Sequence, residues 1–103
     1  MILRVVKMKV DDVKVDAFEL FMNNLHDEKL RLQGCLHFDY FHEKKNKNIY
    51  YTYTIWEAEK FFKQYKKSEL FKEVISTLKS LCEDEPQAWT IENVFNHVNH
   101  EEE

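Results

Sequence analysis

The side chains in this sequence best suited to chemistry are aromatic. Tyr51, Tyr53 and Trp56 crowd one short run, and Phe62 and Tyr65 follow closely. Such a set can wall a pocket where a planar phenol or quinone stacks, with a Tyr hydroxyl to orient it. The plainer reading of the same residues is core and interface. His37 and Asp39 lie two apart on one face of an alternating run, where a carboxylate can orient an imidazole base. A structural His is the plainer reading there. His37 and His42 fall on opposite faces, so they do not pair as metal ligands. His97 and His100 stand three apart in a polar tail, with nothing else to support a metal site. His26 reads as a solvated helix residue. Cys35 and Cys82 need a neighbouring base to act as nucleophiles, and both read as structural thiols. No metal and no cofactor is expected.

These residues need a scaffold, and the bulk composition bounds it. A chain of 103 residues is one domain on length. A domain of this size buries only about 60–70% of its unfolded surface. Self-association is an extra source of burial, and aromatics at 15% supply large areas for it. A net charge of -4 argues against a nucleic-acid partner, because that binding needs basic groups to displace counterions. Two cysteines make no disulfide framework. The N-terminal run is interrupted by Arg4, Lys7 and Lys9, so it does not read as a signal peptide. No apolar run approaches the roughly 20 residues of a membrane span. A cytoplasmic protein with no membrane partner is expected. A single Gly and a single Pro leave no Gly-rich phosphate loop.

Alternation predicts a first strand over residues 2–10, with Ile2, Val6, Met8 and Val10 on one face and Arg4 among them. Asp11 and Asp12 then open a helix from Val13 to about Leu32. Its apolar face is Phe18, Phe21, Met22 and Leu25. Gly34 suits the left-handed position after a helix end. A second strand follows over Cys35–Glu43. Leu36, Phe38, Tyr40 and His42 share one of its faces, and Cys35, His37, Asp39 and Phe41 share the other. The polar run 44–48 is a hairpin loop, and Ile49–Trp56 is a third strand. Glu57–Lys66 is a short helix. Ser68 caps another that runs to about Cys82, with Phe71, Val74, Ile75, Leu78 and Leu81 inward. After a loop ending at Pro86, Ala88–Phe95 is a fourth strand. One domain over residues 1–96 and a polar tail over 97–103 are expected. The order β-α-β-β-α-β is the ferredoxin-like, α+β pattern, an antiparallel sheet with both helical segments on one face. Large residues on both strand faces predict that a second copy covers the other face.

Three motifs at these spacings carry a resemblance. Gln33-Gly34-Cys35-Leu36-His37-Phe38, Tyr53-Thr54-Ile55-Trp56-Glu57 and Tyr65-x-x-Ser68-x-x-Phe71 look like the antibiotic biosynthesis monooxygenase (ABM) domain family. The resemblance spans roughly residues 2–95. It implies a dimeric α+β barrel, two copies packed sheet to sheet, with a pocket between each sheet and its helices. Trp56 and Tyr65 are the catalytic candidates, and the aromatic run and its histidine add Tyr51, Tyr53, Phe62 and His37 as candidate substrate contacts. Family members include cofactor-independent oxidases of quinols and polyketide phenols, haem-degrading enzymes and proteins with no assigned activity. In the haem-degrading branch a ligand His stands where this chain has Ile75, and an apolar side chain ligates no iron. In the polyketide branch an Asn stands four residues before the Trp, where this chain has Thr52. Many quinol-oxidising members have His where this chain has Tyr65, whose phenol is a poor base near neutral pH.

Two functions follow from the resemblance. One is a cofactor-independent monooxygenase acting on a small aromatic or quinol with O2, the substrate anion itself activating oxygen. The other is a non-catalytic homodimer that binds a small aromatic or apolar ligand.

Overall fold

A computed structural model describes residues 1–94 of the chain. Four strands and three helices follow in order: β1 (Ile2–Lys9), α1 (Val15–Leu30), β2 (Cys35–His42), β3 (Ile49–Trp56), α2 (Glu59–Lys66), α3 (Glu69–Leu81) and β4 (Gln87–Glu92). The strands form one antiparallel sheet in the order β2-β3-β1-β4, the ferredoxin-like arrangement of an α+β fold. No helix among the described residues is long and apolar enough to cross a membrane. Phe95, expected at the end of the fourth strand, and the tail with His97 and His100 lie outside the described residues.

The element ends follow local chemistry. Asp11 accepts a hydrogen bond from the Val13 amide and caps a 3-10 turn over Asp12–Lys14, so α1 begins at Val15 rather than at Val13. α1 ends at Leu30 with Arg31 as its cap. Gly34 is therefore not the residue after the helix end. It sits in the turn closed by the Cys35 amide donating to the Leu32 carbonyl, at φ +81°. That conformation favours Gly, because a Cβ there meets the backbone. Ser68 caps α3 by accepting from the Phe71 amide at 3.1 Å, as its position before the apolar periodicity requires.

Register decides which side chains meet the helices. Tyr50, Thr52, Thr54 and Trp56 of β3 point under them and are buried. Their neighbours across the sheet are Ile2, Arg4, Val6 and Met8 of β1. In β2 the expected alternation fails at its start. A register irregularity between Cys35 and His37 places Cys35 opposite Trp56 and Phe38 opposite Thr54. Cys35 and Phe38 are consequently both buried beneath the helices, while Leu36 is left exposed. Phe18, Met22 and Leu25 of α1 and Val74 and Leu78 of α3 close the core from above.

The other sheet face has no helix on it. His37, Phe41, Tyr51, Tyr53 and Ile55 stand there, with Leu3, Val5, Trp89 and Ile91 beside them in register. Phe41, Tyr53, Trp89 and Ile91 are 38–53% exposed.

Candidate functional site

Between the sheet and the helices lies a cavity of about 330 Å³, large enough for a small ring system. Its floor is Arg4, Val6, Phe38, Thr52, Thr54 and Trp56 from the sheet. Met22, Leu25 and Lys29 of α1, Phe62 and Tyr65 of α2, and Phe71, Val74, Ile75 and Leu78 of α3 form its walls. Lys79, the loop residues Glu85 and Pro86, and Ala88 of β4 complete the lining.

The aromatic wall is continuous. The Trp56 ring centroid lies 5.4 Å from that of Tyr65 and 6.1 Å from that of Phe62. Phe71 meets Tyr65 edge-on at 5.3 Å. Two polar atoms interrupt this apolar wall. The Trp56 indole nitrogen and the Tyr65 hydroxyl are both buried with no hydrogen-bond partner among the described residues. Such groups are uncommon in folded proteins, and each costs about 1–3 kcal/mol. Burial pushes the Tyr65 phenol above its ordinary range, and the nearby Cys35 adds to the push. At neutral pH it is a hydrogen-bond donor, not a base.

Two cations enter the same cavity. Lys29 is 8% exposed, and its Nζ donates to Thr54 Oγ1 at 3.0 Å. The ammonium also lies 4.2 Å from the Phe38 ring centroid and 5.2 Å from that of Tyr65. Burial pulls it down to about 8, with Cys35 opposing and Arg4 adding to the pull. Arg4 is paired with Thr54 across the strands, places its guanidinium 4.9 Å over the Phe62 ring and donates to Thr90 at 2.9 Å. No carboxylate lies within ion-pair distance of either cation among the described residues.

Of the residues singled out from the sequence, Trp56, Phe62 and Tyr65 are brought together on this wall. Tyr51, Tyr53 and His37 are not. They stand on the opposite sheet face, where Tyr51 donates to Glu43 at 3.2 Å and the His37 and Tyr53 rings meet edge-on at 6.0 Å. Asp39 shares that face but accepts from the Tyr40 amide at 2.9 Å, and no hydrogen bond joins it to His37 among the described residues. Ile75 lines the cavity, in the place noted for a haem ligand in the resembling branch. No cluster of three or more metal-ligating side chains is found among the described residues.

Lys29 went unnoticed in the sequence, although a signal existed. The inward face of α1 runs Phe18, Met22, Leu25, and its next step of four is Lys29. Arg4 gave a similar signal as the one charge among apolar residues on the inward face of β1.

The whole fold has counterparts among solved structures. A conserved protein from Methanosarcina mazei Go1 superposes with a TM-score of 0.83 at 26% identity, covering 90% of this chain and 93% of its own. An antibiotic biosynthesis monooxygenase superposes with a TM-score of 0.84 at 13% identity, covering 92% of this chain and 100% of its own. A candidate monooxygenase of the same description from Deinococcus radiodurans gives 0.85 at 11% identity, covering 93% and 95%. No protein of curated function matches the sequence. The family model for antibiotic biosynthesis monooxygenases matches residues 1–77, which hold β1 to β3, α2 and most of α3, and the chain belongs to that family.

Proposed function

We propose that the protein is a cofactor-independent monooxygenase acting on a small aromatic or quinol substrate with O2. The observation that carries this reading is the cavity itself. It is apolar and ring-sized, and two buried donors on its aromatic wall, Trp56 Nε1 and Tyr65 Oη, have no protein partner among the described residues. In such a reaction a hydroquinone and O2 give a hydroxyquinone and water. The substrate supplies all four electrons, one oxygen atom enters the ring and the other leaves as water. The protein's part is to hold the ring against Trp56 and Phe62, exclude water and donate to a substrate oxygen from Tyr65.

A second reading has its own support. The cavity lining contains no His, and its Tyr is held protonated, so neither an imidazole nor a phenolate faces a substrate as a base. That favours a non-catalytic protein which binds the same class of ring. In either reading a homodimer forms through the helix-free sheet face. Its exposed Phe41, Tyr53, Trp89 and Ile91 make a surface that a second copy covers. Tyr51, Tyr53 and His37 then belong to the dimer seam. Oxygen consumption with a panel of hydroquinones separates the two readings. Uptake that is lost in Trp56→Ala and Tyr65→Phe supports the monooxygenase. Absence of uptake, alongside saturable binding of the same rings, overturns it in favour of the binding protein.

A further inference from the structure

The cavity takes apolar rings on the reading above, and its polar atoms narrow that class. Every polar group on its buried lining is a donor or a hydroxyl. The Lys29 ammonium has three N–H donors, of which one reaches Thr54 Oγ1, and its nitrogen lies at cation–π distance from the Phe38 and Tyr65 rings. Tyr65 links this ammonium to the unpartnered indole. Its ring lies 5.2 Å from Lys29 Nζ and 5.4 Å from the Trp56 ring. Arg4 adds a second positive charge from the neighbouring strand. The only carboxylate on the lining is Glu85, which is exposed in the loop before β4. A buried ammonium without a counter-charge is expensive, and a protein interior normally pairs it. An anion brought in by a ligand would be that pair.

We infer that the cavity selects its ligand in anionic form, as an apolar ring-sized acid whose deprotonated oxygen meets the Lys29 ammonium beside Trp56 and Tyr65. A phenolate and a ring carboxylate share this chemistry. The inference rests on the reading that the cavity binds aromatic rings, and it adds the charge state of the ligand and the residue that reads it. The titratable and charged groups facing Lys29 are Arg4 from β1, Cys35 from β2 and Tyr65 from α2. Lys79 from α3 and Glu85 also line the cavity. Of these, Lys29 is pulled to about 8, so its charge is lost soonest among the cations on rising pH.

Titrations with 1-naphthoate, with 4-nitrophenol and with the neutral 1-naphthalenemethanol test it. The wild-type protein is expected to prefer both anions to the alcohol, and bound 4-nitrophenol to show the phenolate absorbance. In Lys29→Met the anions bind at least about tenfold more weakly while the alcohol is unaffected. Retention of only one of the two anions by the wild type assigns the oxygen as phenolate or carboxylate. Should Lys29→Met not fold, the wild-type pH profile serves alone. Naphthoate stays ionised throughout, so its affinity falls between about pH 7 and 10 with loss of the amine proton, while that of the alcohol does not. Equal binding of anion and alcohol, or a flat naphthoate profile, overturns the inference and leaves the aromatic-ligand reading intact. Failure of all three probes to bind overturns both.

Discussion

Lys29 Nζ lies 3.0 Å from Thr54 Oγ1, and both residues are buried between α1 and the sheet. The ammonium titrates at about 8 in the folded chain and at 10.5 when exposed. The folded state therefore binds fewer protons between those values, and stability rises with pH across that window. Below about 8 both states are protonated and the full cost of the buried charge is present, on the order of 3 kcal/mol. Lys29→Met removes this linkage. Denaturant titrations of both proteins are expected to show a stability difference in favour of the variant near about pH 7 that narrows by pH 10. A difference that is constant with pH would contradict the lowered titration.

Gly34 is constrained twice. Its φ of +81° disfavours any side chain, and an added Cβ would fall 2.2 Å from Phe61 Cγ. Gly34→Ala combines backbone strain of about 1 kcal/mol with overpacking of about 1–3 kcal/mol against the ring. Phe61→Ala removes the ring but keeps its Cβ, itself 2.5 Å from the added methyl, so it relieves the second part only in part and leaves the first. Thermal denaturation of the two single variants and the double variant is expected to show Gly34→Ala costing less in the Phe61→Ala background. Equal costs in both backgrounds would exclude the Phe61 ring as a source of the effect.

Trp56 is 1% exposed and its indole nitrogen is unpartnered. Trp56→Phe removes an unsatisfied donor, which is favourable, and some packing, which is not. The two changes are of similar size, so stability should shift by no more than about 1–2 kcal/mol. Trp56→Ala leaves a large cavity and costs about 3–5 kcal/mol. Binding of 1-naphthoate to Trp56→Phe is expected to weaken even though the protein is as well folded as the wild type. That pairing of unchanged stability with lost affinity is the signature of a donor kept for a ligand. Unchanged affinity would make the indole a purely structural ring.

The layout of elements was legible because its signals are local. Ile49–Trp56 alternates over its whole length, Ser68 precedes a clear helical period, and both appear where expected. The cavity was half legible. Trp56, Phe62 and Tyr65 are aromatic and stand out, but Tyr51 and Tyr53 are aromatic too and face the other way. Composition cannot separate the two sets; only strand parity does, since each residue along β3 changes face. In β2 parity itself breaks, because the irregularity at Leu36 adds a residue that no periodicity announces. Lys29 was missed for a different reason. A long cationic side chain on an apolar helical face is usually read as reaching out to solvent, and here Thr54 and two rings hold its head inside.

Tyr53 stands on a central strand in the middle of the helix-free face, paired with Val5, which is in turn paired with Trp89 on the edge strand. His37 and Phe41 flank its ring at 6.0 and 6.4 Å. A second copy laid on this face would desolvate that row. A carboxylate placed there stands opposite Asp39 in the register, and desolvating it beside that like charge costs several kcal/mol. Tyr53→Glu should therefore convert a dimer to a monomer without altering the cavity, which lies on the far side of the sheet. Light scattering at micromolar concentration is expected to give twice the chain mass for the wild type and the single chain mass for the variant, with 1-naphthoate still bound. A monomeric wild type would remove the dimer. A dimeric variant would move the contact to another surface, and Trp89→Glu, on the edge strand of the same row, would then be silent as well.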